Sequence, residues 1–257
     1  MKFKILKPLI MVIKYTDLLS ALAVRMTKFT GKSKTPIHPK HFLDERPWFT
    51  SNLKKSDTVL DLGAGNAQSA LKAANYVKKI IAVDYDNALL KLGKKSATEK
   101  NVKNIFFKKA NLEKKLTFKS SSFDKIIFLD VLEHLNHRNQ ILNEIGRVLK
   151  KNGLVYLGVP NSETYWKRLQ ENTGVCSFSD PDHKKEFTKE EIVELLEKNK
   201  FIIVEFGYSS FDIPFRGFID IIGPVSLIIY KSISNLRKKA AVKFPKQASG
   251  FQIILKK

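Results

Sequence analysis

Val59 to Ala67 reads VLDLGAGNA, an aliphatic run that ends in an acid, followed by two glycines at alternate positions. Such a run closed by glycine reads as a short buried strand, and the glycines let the backbone turn tightly and approach a ligand closely. A helical pattern begins directly after the turn. In NAQSALKAANYV, residues Ala70, Leu71, Ala74 and Val77 fall on one face. Strand, glycine turn and helix in that order open a βαβ unit. A dinucleotide fingerprint G-x-G-x-x-G is incomplete, because Gln68 holds the third glycine position.

The alternation continues through the chain. TVLDLG is followed by the strand patterns KIIAVD, NIFFKKA, FDKIIFL, GLVYLGVP and FIIVEFGY, and SGFQIIL closes the sequence. Between them lie the helical patterns DNALLKLGKKSATEK, NQILNEIGRVLKK stopped by Asn152-Gly153, and FTKEEIVELLEKN with Thr188 as N-cap. Strands alternating with helices predict an α/β protein with a parallel sheet and right-handed crossovers. Two stretches break the rhythm: a polar and aromatic segment from Asn161 to Glu186, and an insertion at 211–248.

At 257 residues and 43% apolar content the chain is long enough for one domain with a buried core. The single cysteine, Cys176, excludes a disulfide framework and fits a reducing compartment, the cytoplasm. It carries no nucleophile signature and reads as a passive thiol. Lys and Arg number 46 against 25 acids, a net +21, which favours anionic partners. Yet the charge is mostly lysine and is spread along the chain, as a solvated surface would be. Readers of nucleic acid concentrate their charge and use arginine at base edges, so the pattern argues against nucleic acid as the partner.

The N-terminal MKFKILKPLIMVIKYTDLLSALAVRM is too interrupted by Lys14 and Asp17 for a secretory signal or a membrane span. Lys14, Asp17, Ala21, Arg25 and Lys28 recur at helical spacing as the polar stripe of a helix with a wide apolar face. That helix either packs on the domain or lies on a membrane. Gly31 to Pro39 reads as a linker, so residues 1–40 form an N-terminal extension and 41–257 the domain. Within the insertion, Phe218 to Tyr230 is almost wholly apolar and Arg237, Lys238, Lys239, Lys243 and Lys246 follow it. An apolar segment with a basic flank suits a peripheral place on the inner, anionic face of a membrane; packing on the N-terminal helix is the competing expectation.

Asp84 ends the second strand about 20 residues beyond Gly63, where such sheets place the carboxylate that takes ribose hydroxyls. With Asp61-x-Gly63-x-Gly65 and this acid, residues Asp57 to Ser209 resemble the class I S-adenosylmethionine-dependent methyltransferases, departing from that family's common third glycine at Ala67. The resemblance implies a Rossmann-like sheet of order 3-2-1-4-5-7-6 with the last strand antiparallel. It also implies a cofactor, S-adenosyl-L-methionine, held by Asp61, Gly63, Ala64, Gly65, Asp84, Tyr85, Asn111, Leu112 and Leu129. Asn111 stands where an acid near the adenine amine is usual.

LDVLEHL, Leu129 to Leu135, follows the fourth strand at the ligand edge of the sheet. Asp130 three residues before Glu133 is a capping-box pattern. The same spacing also sets Asp130, Glu133 and His134 on one helical face, as ligands for a divalent ion such as Mg2+ or with His134 as general base. The arrangement resembles methyltransferases that O-methylate catechol-like quinone precursors, with Asp130 where they carry Glu. The Asn/Asp-Pro-Pro-aromatic turn of amine methylators is missing, which points to an oxygen or carbon acceptor. The aromatic residues Tyr165, Trp166, Phe178, His183 and Phe187 are expected either over the acceptor or in the core. The expectation is methyl transfer to a hydrophobic or membrane-derived small molecule. Two rivals stay open: an RNA or protein methyltransferase using the basic surface, and a non-catalytic S-adenosylmethionine-binding scaffold.

Overall fold

The computed structural model describes residues 5–43 and 47–257. In chain order the strands are β1 (Thr58–Leu62), β2 (Lys79–Asp84), β3 (Ile105–Lys109), β4 (Phe123–Leu129), β5 (Leu149–Pro160), β6 (Ile202–Tyr208) and β7 (Gly250–Lys256). The α-helices are α1 (Lys7–Tyr15), α2 (Leu19–Phe29), α3 (Gln68–Ala73), α4 (Asn87–Glu99) and α5 (Arg138–Val148), then α6 (Tyr165–Asn172), α7 (Lys189–Lys198), α8 (Arg216–Val225) and α9 (Leu227–Lys243). Two compact units emerge. One comprises 47–160, 182–207 and 251–257; the other comprises 5–43, 161–181 and 208–250.

The first unit is built on a mixed seven-stranded sheet of order β3-β2-β1-β4-β5-β7-β6, as expected. β1 pairs in parallel with β2 and β4, placing Asp61 level with Ala82 and Ile127. The order reverses between β1 and β4, and the carboxyl ends of both strands reach the same edge, where open α/β sheets bind ligands. Val59, Leu60, Ile126, Ile127 and Phe128 are fully buried. These near-continuous apolar runs suit strands covered on both faces. Asp86 caps α4 by accepting from the Ala88 N–H at 2.7 Å, and Thr188 with Glu191 forms a capping box on α7.

Two local expectations are corrected. The helix before Asn152-Gly153 stops at Val148, because Leu149 already pairs with Phe123 and β5 runs through Asn152 (φ 65°) after a register shift. Asp130 is not a helix cap. It takes φ 56° and donates its N–H to Gly158 O at 3.0 Å, and only a 3-10 turn, Leu132–His134, follows. The cap position of that turn falls on Val131, one residue beyond the left-handed exit from β4.

The second unit is helical. A 3-10 turn, Thr16–Leu18, joins α1 to α2; α2 packs on α8 and α8 on α9. Close approach sets the sequence here: a Cβ on Gly217 would overlap the Thr16 carbonyl, and one on Gly223 would overlap Pro39. Asp220, buried in this interface, accepts from Ser20 Oγ at 2.6 Å and Tyr230 Oη at 2.9 Å, with His38 Nε2 3.3 Å away. Burial pushes its carboxyl up, but His38, Ser20 and Tyr230 more than offset this and hold it below the ordinary carboxylate value. The stretch read as a linker is packed: Ile37 is buried and its N–H and C=O both bond Thr27 Oγ1.

Candidate active site

The glycine turn after β1 is fixed by backbone geometry. Gly63 (φ 70°) and Gly65 (φ 53°) both lie in the left-handed region. A Cβ on Gly63 would overlap Val131 of the loop after β4, whereas one on Gly65 would meet nothing within 4 Å. The first glycine therefore serves packing of the two loops, and the second leaves open space above the turn. Ala67, at the expected third-glycine position, also takes a left-handed φ of 59° and donates its N–H to Ala64 O at 2.7 Å.

Two carboxylates border the turn. Asp84 Oδ2 accepts from Gly65 N–H at 2.8 Å and Oδ1 from Asp86 N–H at 2.9 Å, which ties β2 to the glycine loop. Each oxygen retains a second lone pair for a hydroxyl donor. Asp61 is buried, and its Oδ2 has no hydrogen-bond partner among the described residues. Burial, with a smaller push from Asp84, raises its carboxyl to about 7, although the Ala70 N–H pulls the other way. An orphaned buried carboxyl oxygen beside an open turn is a seat for a cation. Tyr85 is exposed, Leu112 buried and Leu129 half-buried. The exposed Asn111 accepts from Glu113 N–H at 2.9 Å through Oδ1, which leaves its Nδ2 as a donor.

The loop after β4 brings a second group together. Lys184 and Lys185 donate their N–H groups to the Glu133 carbonyl at 2.8 and 3.2 Å, which draws the segment before α7 onto the 3-10 turn. His183 thereby meets His134, with ring centroids 4.7 Å apart and edge to face. Glu186 Oε1 lies 2.7 Å from His183 Nδ1, and Glu133 Oε1 lies 3.9 Å from His183 Nε2. His183 thus stands between two carboxylates, its Nδ1 on Glu186 and its Nε2 facing Glu133. Glu113 clamps the far end of the loop, accepting from the N–H groups of Asn136 at 2.7 Å and His137 at 3.0 Å.

A family model described as a methyltransferase domain matches residues 53–209. The chain belongs to the methyltransferase-domain family. It is 33% identical over 104 residues to an uncharacterized methyltransferase, YcgJ, of Bacillus subtilis, a match covering 40% of this chain and 41% of that one. Over 113 residues it is 30% identical to the ubiquinone/menaquinone biosynthesis C-methyltransferase UbiE of Zymomonas mobilis, covering 44% of this chain and 46% of that one. These matches span less than half the length of either relative. A solved S-adenosylmethionine-dependent methyltransferase of Methanosarcina mazei superposes with a TM-score of 0.59 at 21% identity, covering 84% of this chain and 99% of that one. The methyltransferase domain thus has the S-adenosylmethionine-binding fold of its family.

Within that domain the structure gathers Asp61, Gly63, Gly65 and Asp84 at one turn. It also gathers Glu133 and His134, and the third group within ligand reach of this pair is His183, not Asp130. Asp130 is exposed. Of the five aromatic candidates, His183 joins the cluster, Phe187 is in the core of the same unit, and Tyr165, Trp166 and Phe178 lie in the helical unit. Glu186 and Glu113 escaped the sequence reading. For Glu186 the signal was its i, i+3 spacing from His183; for Glu113 none was available, because its partners lie over 20 residues away.

Proposed function

We propose that this chain is an S-adenosylmethionine-dependent methyltransferase whose acceptor is a hydroxylated hydrophobic small molecule, methylated on oxygen or on a ring carbon that the hydroxyl activates. The bound cofactor would supply an electrophilic methyl group. The open turn at Gly65 and the unpartnered Asp61 oxygen fit it: Asp84 offers lone pairs to ribose hydroxyls, Asp61 a carboxylate to the ammonium, and Asn111 a donor to an adenine ring nitrogen.

The observation that carries the acceptor class is the Glu186–His183–His134 group beside Glu133, with the glutamates buried and the imidazoles half-buried. Removing a proton from a phenol or enol makes its oxygen nucleophilic, and equally the ring carbon next to it, so one base serves both outcomes. His134 is the base in this reading. His183, oriented by Glu186, stacks against it and limits its rotation. Holding the acceptor in line with the methyl group accounts for much of the rate, so a strong base is not required. The quinone-precursor chemistry named for the Zymomonas relative belongs to this class.

A second reading has its own observation. Glu133, His134 and His183 each offer a ligand atom within 4.8 Å of the other two. One carboxylate and two imidazoles suit a first-row transition ion such as Zn2+ or Mn2+ better than Mg2+, which prefers oxygen. Assay of a panel of catechols and quinone precursors, with and without chelator, tests both. Methylation of such acceptors that survives chelation supports the base alone, and loss restored by Mn2+ or Zn2+ supports the ion. Cofactor binding with no turnover on any hydroxylated acceptor contradicts the proposal.

A further inference from the structure

The helical unit wears much of its apolar surface on the outside. Most of the exposed large apolar side chains among the described residues belong to it. Ile5 precedes α1, Leu9, Val12 and Tyr15 lie along it, and the series continues through Leu18, Leu22 and Phe29. The steps are three or four residues throughout, with exposed Arg25 filling the one wider gap, so they follow one winding face of the helical run. Exposure runs from 48% at Leu22 to 87% at Phe29. Meanwhile Lys14 and Asp17 turn partly inward, where Lys14 Nζ donates to Phe178 O at 2.7 Å and Asp17 sits 3.8 Å from Arg216. Scattered exposed leucines are ordinary, but an apolar face interrupted only by Arg25 along the helical run marks an interaction surface.

A second exposed group lies on the same unit, where α8 passes into α9: Phe218, Val225, Ile228 and Ile229. The buried positions of α8, Gly217, Asp220, Gly223 and Pro224, face α2 and Pro39. The insertion therefore packs with one face and presents the other.

We infer that these outward faces of the helical unit seat on a lipid bilayer surface rich in anionic headgroups. Charge selects this occupant. Apart from the inward Lys14, residues 5–43 carry Lys7, Arg25, Lys28, Lys32, Lys34 and Lys40 against one acid, Asp17, and α9 carries exposed Lys231, Lys238, Lys239 and Lys243 and no acid, its Arg237 being bonded to Phe211 O. Basic side chains flanking an apolar face reach phosphate headgroups while the apolar groups enter the acyl boundary. Pairing with a second copy through the same face would set like charges opposite one another. No helix among the described residues is long and apolar enough to cross a membrane, so the unit lies on the surface. This surface stands independently of the proposed acceptor.

Flotation of the full chain with vesicles of phosphatidylglycerol in phosphatidylcholine, against pure phosphatidylcholine, tests the inference. Binding is expected to the anionic vesicles at low salt and to weaken as salt rises. The variant Leu9→Ser/Val12→Ser/Leu18→Ser should keep the wild-type melting temperature, because all three side chains are exposed, and should lower the partition coefficient on the order of tenfold or more. Unchanged binding by the triple variant overturns the inference. So does absence of flotation on anionic vesicles, including the case in which the wild type proves dimeric and the triple variant monomeric.

Discussion

The two units of this molecule follow opposite patterning. In the sheet unit the aliphatic runs of β1 and β4 are buried, and a buried polar atom without a hydrogen-bond partner among the described residues, Asp61 Oδ2, lies at the carboxyl edge beside the glycine turn. In the helical unit the interior holds a polar network, Asp220 with Ser20, Tyr230 and His38, while leucines, valines and phenylalanines face outward. One unit is closed except at a site built for a small polar ligand. The other buries a hydrogen-bonded polar network and presents apolar surface. A buried polar atom left unsatisfied in the first and exposed apolar area in the second each carry a free-energy cost that a bound ligand or a covering surface would remove.

The contrast is sharpest in what each unit loses to a single substitution. His134→Ala in the sheet unit should lower turnover by about 10²–10⁴-fold if it is the base, with the melting temperature near wild type. Normal turnover per folded molecule would return His134 to a plain structural role. Asp220→Ala in the helical unit should do the reverse. It leaves the buried Tyr230 hydroxyl and Ser20 without their acceptor and costs about 1–3 kcal/mol of stability in a thermal or denaturant melt. Cofactor affinity should not change. A parallel loss of S-adenosylmethionine binding would break the separation between the two units.

Asp84→Ala should weaken S-adenosylmethionine by about 1–3 kcal/mol in calorimetry, since charge-assisted bonds to the ribose go unmade and the tie to Gly65 is lost. The pH response gives the most diagnostic effect. Asp61 has its folded carboxyl raised to about 7 from 3.8, so between those values the folded protein holds a proton that the unfolded chain releases. Its contribution to stability therefore declines as pH rises through that window. An ammonium ligand favours the ionised form, so cofactor affinity should climb by up to about tenfold per pH unit toward 7 and then level off. Asp220 responds with the opposite sign. Its lowered carboxyl stabilises the fold above the unfolded value and loses that contribution as pH falls through the folded one. Affinity that is flat from pH 5 to 7 would remove Asp61 from the cofactor site.

Much of the sheet unit is legible in the sequence because its signals are local. The run VLDLGAGNA states a strand and a turn in nine residues, a helical pattern follows at once, and the acid at Asp84 falls at the expected distance. The site around His134 is legible only in part. Spacing along the chain suggested Asp130, Glu133 and His134 on a helix, but the left-handed exit at Asp130 replaces that helix with a 3-10 turn. His183 and Glu186 enter through backbone bonds from Lys184 and Lys185 to Glu133, some 50 residues away, which no periodicity encodes. The helical unit misleads for a different reason. A charged stripe is ordinarily the solvent face, and here Arg25 and Lys28 follow that rule, but Lys14 and Asp17 are drawn toward Phe178 and Arg216 and apolar side chains face out beside them.

Transfer of a radiolabelled methyl group from S-adenosylmethionine, with purified protein and separate lipid, RNA and protein fractions as acceptors, tests the central claim most directly. The account predicts label in a hydrophobic, organic-extractable small molecule, reduced at least a hundredfold with His134→Ala. Label confined to RNA or protein, or cofactor bound tightly with no label in any fraction, would contradict it.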